Sequence, residues 1–179
     1  MTEDRPYPAE TAGPFPEPPQ TFEDREEREI SIRVYRRGAD DEPDDFETLV
    51  EMYSTFDPAD RAQGIPPSSD QRIRDWVRTL EEGLNLVAWH DDRIAGHATL
   101  VPDGGESWEL AIFVHQDYQR AGIGTTLIRT LLGYGASQAI EKVWLTVERW
   151  NRTAVNLYHE VGFETCNAQS FDIEMALRL

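Results

Sequence analysis

The chain has 179 residues, 39% of them hydrophobic, which suits one domain with an extra segment and a core of its own. Its formal net charge of −17 excludes a nucleic-acid binder, which needs a basic footprint. No apolar run approaches the roughly 18 residues of a membrane span, and the opening MTEDRPYPAE shows no export signal. Cys166 is the single cysteine, so no internal disulfide is available. It reads as a buried filler in a cytoplasmic, reducing setting.

Residues 1–28 are acidic and proline-rich and carry no hydrophobic period, the composition of a disordered tail ahead of a domain over 30–179. From Ile30 the pattern changes: Ile30, Ile32 and Val34 alternate with polar residues, as in a half-buried strand. Phe46, Leu49, Val50, Tyr53 and Phe56 recur at helical spacing over 44–56, with Asp44 or Asp45 as the cap. A second helix is predicted over 68–83, with Ile73, Trp76, Val77 and Leu80 on one face and Gly83 as the stop. Strands over 84–90 and 93–102, joined at Asp91-Asp92, read as a hairpin, and an apolar strand follows over 107–115.

The stretch QRAGIG (119–124) then separates that strand from a helical stripe of Leu127, Ile128, Leu131, Leu132 and Ala136, weakened by Gly133 and Gly135. A strand over 142–148, a short helix over 153–161 ended by Gly162, and a strand over 170–179 complete the order. This is α/β, antiparallel in its first half and mixed in its second, with helices on both faces.

Glycines between a strand and a helix start make an anion site, because free N–H groups and the helix dipole point at the turn. A dinucleotide fingerprint fails, since Leu127 stands where the third glycine belongs. A nucleotide-triphosphate loop fails because no lysine follows. In so acidic a chain, backbone donors helped by Arg120 would have to hold the phosphates.

Two longer runs, VHQDYQRAGIGTTLI and VWLTVERWNRTAVNLYHEVGF, resemble the acetyl-CoA-binding half of a GNAT-superfamily N-acetyltransferase. The matching positions are Gln119, Gly122 and Gly124, then Asn151, Ala154, Tyr158, Gly162 and Phe163. The resemblance implies the GNAT fold, a mixed and mostly antiparallel sheet whose fourth and fifth strands splay apart. It implies acetyl-CoA as cosubstrate, with no metal. The loop amides of Gln119, Arg120, Ala121, Gly122, Ile123 and Gly124 would cradle the pyrophosphate. Thr125 or Thr126 would add a hydroxyl, and Asn151 would bind cofactor or cap its helix. The backbone N–H near Val114 would hold the oxyanion, and Tyr158 would protonate the departing thiolate.

The run ELAIFVHQDYQRAGIG is similar to the branch of that family that acetylates lysines on proteins, and there the glutamate matching Glu109 is the proposed base. Independently, a carboxylate beside the apolar LAIFV would be partly desolvated and its pKa raised toward use. A solvated strand end is the other reading of Glu109. Glu148 ends the next strand as a second carboxylate. His97 sits where it would touch either core or substrate, while Trp108 and Trp150 flank the strand ends. The histidines show no metal-ligand spacing.

The expected activity is direct acetyl transfer to a primary amine, on a protein lysine or a small molecule, by a monomer or homodimer. A non-catalytic acyl-CoA-binding module on the same fold is the alternative. Lys142 is the only lysine among 17 basic residues, against 34 acidic ones. That skew resembles proteins of extreme halophiles, whose surface carboxylates keep them soluble in salt.

Overall fold

In the computed structural model, which describes residues 5–38, 44–62, 64–168 and 171–179, the hydrophobic periods become twelve regular elements. These are β1 (Gln20–Glu23), β2 (Glu29–Val34), α1 (Asp45–Ser54), α2 (Asp70–Leu80), β3 (Leu84–His90), β4 (Arg93–Pro102), β5 (Ser107–Val114), α3 (Ile123–Ser137), β6 (Lys142–Glu148), α4 (Arg152–Val161), β7 (Glu164–Ala168) and β8 (Asp172–Arg178). One sheet holds all eight strands in the order β1-β2-β3-β4-β5-β6-β8-β7. Every pairing is antiparallel except that of β5 with β6. This is the α/β architecture expected, with two short strands added. Ser170, the expected start of the last strand, lies outside the described residues.

Alternation along the strands sorts side chains onto two faces. Leu110, Val143, Leu145, Met175 and Leu177 pack with Leu127, Ile128 and Leu131 of α3 and with Tyr158 and Val161 of α4. On the other face, Phe46, Leu49, Tyr53, Ile73 and Val77 of α1 and α2 close over Val87, Ile94 and Phe113. Asp44 caps α1 by accepting the Phe46 N–H at 3.0 Å. Asp45 plays a different part. Fully buried, it takes both guanidinium nitrogens of Arg33 at 2.7 Å and the Arg36 N–H at 2.7 Å. A paired and hydrogen-bonded carboxylate is the form in which burial of such a charge is tolerated.

The segment before Ile30 corrects the sequence reading. Of the expected disordered tail, residues 5–28 are laid against the domain, and residues 1–4 lie outside the described residues. Arg5 stacks on Trp144, Pro8 accepts a bond from Arg178, and the Ala12 N–H donates to Arg178 O. Pro16 then crosses α3 at Gly133, where any Cβ would collide with its carbonyl. Finally β1 adds an edge strand to β2, in register from Gln20↔Ile32 to Glu23↔Glu29. Proline suits this path because it needs no N–H partner and is already restricted in the unfolded chain. Apolar periodicity is a poor guide to a segment held by carbonyls and cations.

Candidate active site

β5 and β6 pair only over Ser107↔Lys142, Trp108↔Val143 and Glu109↔Trp144. Beyond that point β6 stays with β8 along its whole length while β5 stays with β4, so the two strands diverge. His115 N–H bonds Ala95 O across β4. By the alternation of an antiparallel ladder, Val114 therefore turns its peptide groups the other way, into the gap. The expected splay is present, and Glu109 sits at its apex.

The loop at the wide end of the gap is built as the spacing requires. Arg120 and Gly122 both have left-handed backbone, at φ 60° and 89°. Gly122 is the N-cap of α3 and offers no side chain to bond the helix start. The first backbone bond of that helix comes from Thr126 to Gly122 O at 3.4 Å, so the N–H groups of Ile123, Gly124 and Thr125 have no intrahelical acceptor. No acidic residue lies in the first turn. Gly124 differs from Gly122: its backbone is helical, and a Cβ there would meet Val114 at 3.7 Å and Ile112 at 3.9 Å. Its bareness keeps the wall beside Val114 thin; it is not needed for the turn.

The side chains around this loop divide their labour. Thr126 bonds its hydroxyl back to Gly122 O, leaving Thr125 as the hydroxyl facing the helix start. Gln119 donates to Val114 O and to Asp60, both at 3.0 Å, tying the loop to the end of β5. Ala121 is buried under the loop. Asn151 caps α4 by accepting the Ala154 N–H at 3.2 Å, which gives it a structural role.

Tyr158 is buried on α4, edge-on to Phe163, and burial pushes its pKa up to about 12. It stays protonated at neutral pH, the state an acid must start from. Glu109 lies on the opposite sheet face and is an exposed residue whose carboxylate is nonetheless crowded by its neighbours. Burial is the largest influence on it and raises its pKa; Arg5 opposes this, while Asp103 and Glu174 reinforce it. A carboxylate and a phenol thus flank one gap from its two sides.

The other candidates do not join the apex. His97 is core: it bonds Tyr53 Oη at 2.6 Å and Asn85 at 2.8 Å, and burial pushes its pKa down to about 3. Trp108 packs against the α3-side core, whereas Trp150 is 73% exposed on the turn before α4. Glu148 stands half-buried at the far end of β6, opposite Asp172. Cys166 is half-buried, and its raised pKa, from burial first, makes it a poor thiolate. Among the described residues, no three His, Cys, Asp or Glu are grouped to hold a metal, and no helix is long and apolar enough to cross a membrane.

Two arginines of the N-terminal segment were not foreseen as site residues. The Arg25 N–H donates to Ala121 O at 3.0 Å, and its Nε lies 3.8 Å from where a Cβ on Gly122 would sit. Arg5 faces Glu109 from above Trp144. Neither sits in a motif. The one hint was Gly133, a helix-weakening residue whose reason is the chain lying across it.

Comparison with known proteins agrees with this geometry. Over 96 residues, 53% of this chain, it is 32% identical to a mycothiol acetyltransferase of Mycolicibacterium smegmatis, covering 31% of that protein. Over 83 residues it is 34% identical to the [ribosomal protein bS18]-alanine N-acetyltransferase of Salmonella typhimurium, covering 56% of it. The chain therefore matches less than two thirds of either relative. The GNAT domain of S. lividans PAT superposes with a TM-score of 0.71 at 14% identity, over 90% of this chain and 97% of that one. An acetyltransferase of Salmonella typhimurium, solved with its cofactor acetyl-CoA, superposes at 0.64 with 19% identity, over 84% and 94%. These likenesses share the fold, and the family model for acetyltransferases of the GNAT type matches residues 46–163. The chain belongs to the acetyltransferase (GNAT) family.

Proposed function

We propose that the protein transfers an acetyl group directly from acetyl-CoA to a primary amine. The observation that carries this reading is the divergence of β5 from β6 immediately after Glu109, with an uncapped helix start at the wide end of the gap. Pyrophosphate binds the free N–H groups of Ile123, Gly124 and Thr125, with Arg120 and Arg25 supplying charge. Pantetheine lies along the unpaired edge of β5 like an added strand, which brings the thioester to the apex.

There the amine lone pair attacks the thioester carbon. The new C–N bond forms as the oxygen takes up negative charge and accepts a hydrogen bond from an N–H on the unpaired edge of β5 next to the apex. Val114, five residues along the strand and roughly 16 Å away at about 3.3 Å per residue, is out of reach and serves the pantetheine arm instead. Glu109 removes the proton from the attacking nitrogen. The C–S bond then breaks, and Tyr158 donates its proton to the leaving sulfur. The products are the N-acetylated amine and free CoA; exchange with water returns Tyr158 and Glu109 to their starting states. No covalent enzyme intermediate is required, and Cys166 is not used.

The relatives are named for mycothiol and for an alanine of ribosomal protein bS18, so the family context admits both small and protein-borne acceptors. The test is mass spectrometry of a panel of amines and lysine peptides incubated with acetyl-CoA. Acetylated product that depends on Glu109 is expected. Tight acetyl-CoA binding with no transfer to any amine would favour the acyl-CoA-binding module instead.

A further inference from the structure

Between β6 and β8 the sheet face opposite α3 carries no helix. It presents Trp144, with Glu109 beside it on β5 and Glu174 on the adjacent strand β8. The Trp144 indole N–H is held by Asp103 at 3.1 Å, which fixes the ring and sets a carboxylate at its edge. Over that ring lies the Arg5 guanidinium, 3.7 Å from the centroid. Its terminal nitrogens reach Glu174 at 3.5 Å and Asp103 at 3.9 Å, and the side chain is 14% exposed. An aromatic face with carboxylates around it is the general recognition element for ammonium and guanidinium groups.

We propose that the face of Trp144, between Asp103 and Glu174, is a seat for a positively charged group of the acceptor, and that Arg5 occupies it in the free protein. This inference rests on the proposed acetyl transfer, because Glu109 adjoins the seat. Two observations argue that Arg5 is a stand-in and not a fixed part of the wall. Its ion pairs are longer than the 2.7 Å that Arg33 makes with Asp45 in the same molecule. Arg5 Nε is buried without a well-formed hydrogen bond, the Tyr7 side chain being the neighbour that interacts with it, so the guanidinium is loosely held.

The consequence is competition within one molecule. An occupant that fills the seat about nine-tenths of the time weakens an external ligand about tenfold. The acceptor is then a molecule carrying an ammonium or guanidinium group next to its reacting amine, as a diamine or a basic peptide does. A neutral amine has nothing to offer Trp144 and gains nothing when Arg5 leaves.

The experiment is calorimetric binding of 1,5-diaminopentane, with 1,5-pentanediol as the uncharged control of the same length, to the full chain and its Arg5→Ala and Trp144→Leu variants. Acetyl-CoA affinity and melting temperature serve as checks on the fold. Arg5→Ala is expected to tighten the diamine about tenfold while acetyl-CoA affinity is unchanged, and Trp144→Leu to abolish the gain. Arg5→Gln, which keeps length but loses charge, is expected to behave like Arg5→Ala and serves if that variant folds poorly. Unchanged or weaker diamine binding in both Arg5 variants would overturn the proposal, as would an equal gain for the uncharged diol. Because this readout needs no turnover, it separates the two ideas. A tightened diamine with no acetyl transfer refutes the enzyme reading and leaves the cation seat. Transfer that proceeds with unaltered diamine affinity refutes the seat alone.

Discussion

In the proposed reaction Tyr158 and Glu109 carry opposite halves of one proton inventory, and their surroundings suit them to it. Burial raises both pKa values, which keeps the phenol protonated and makes the carboxylate a stronger base than a surface glutamate. Tyr158→Phe removes the proton for the leaving sulfur and leaves the attack step intact. Its rate defect is therefore expected to shrink when the thioester carries a more acidic thiol, measured as kcat for acetyl-CoA against an activated aryl thioester. A defect of the same size with both would show that Tyr158 serves packing against Phe163. Arg5 depresses the Glu109 pKa against the raising effect of burial. Arg5→Ala is accordingly expected to move the acid limb of the rate profile to higher pH, and a shift to lower pH would contradict that arrangement.

At the scale of elements, the turn into α3 and the anchoring of α1 each yield a test. Gly122 sits at φ 89°, so Gly122→Ala places a Cβ in left-handed backbone at a cost of about 1–2 kcal/mol. Gly124→Ala meets only ordinary contacts at 3.7 Å and 3.9 Å. Acetyl-CoA titrations are expected to show a loss for Gly122→Ala and little change for Gly124→Ala, with Gly124→Val weakening binding by crowding the gap. Equal affinities across all three would remove the loop from phosphate binding.

The Tyr53–His97–Asn85 chain ties α1 to the sheet through a neutral imidazole, because burial pushes the His97 pKa down to about 3. The unfolded chain binds that proton near pH 6.5, about its ordinary value. Between those values the unfolded state holds the extra proton, so this contribution is complete above about pH 6.5 and is lost as pH falls toward 3. His115 is shifted down too, by burial first, with Asp117 opposing. Denaturant titrations at pH 7.5 and 5 are expected to show stability falling, by up to about 1.4 kcal/mol per pH unit for His97. A His97→Gln variant with the same slope would contradict it.

Elements with a strong period were legible in the sequence. The two amphipathic helices, the 91–92 hairpin, β5, β6 and the glycine turn follow from local residues, and so does the pairing of anion loop with helix start. β7 was missed because Glu164, Thr165 and Asn167 bury little and pair only with β8, across a bulge. His97 could not be sorted between core and site, since a histidine on a strand reads alike in both until α1 supplies Tyr53. Asn151 shows the reverse: capping was readable from its place before the helix.

The whole molecule is wrapped by its own N-terminal segment, and this is where the sequence misled. A proline-rich acidic stretch with no apolar period reads as disorder, yet residues 5–28 run from Trp144 past α3 to the edge of β2 and end beside the 119–124 loop. Gly133 marks the crossing. Gly133→Ala improves the helix by roughly 1 kcal/mol in intrinsic propensity, but drives a methyl into the Pro16 carbonyl. Limited proteolysis is expected to cut residues 5–28 faster in that variant while far-ultraviolet circular dichroism is unchanged. Equal resistance would mean that the segment is not seated on α3.

Wrapping also brings Arg25 to the loop and Arg5 to the apex, so an acidic chain places two of its few cations at either end of the splayed gap. The central claim is that chemistry happens at the apex and that Glu109 takes the proton. The most direct test is the pH dependence of kcat/KM for the wild type and Glu109→Gln, with a productive amine. Because Glu109 has its pKa raised in the fold, its charge opposes folding at neutral pH. The variant is therefore expected to melt no lower than the wild type and to bind acetyl-CoA as well. Its rate is expected to fall by about 10²–10⁴-fold, with the acid limb gone. Full activity with the same acid limb would contradict the account.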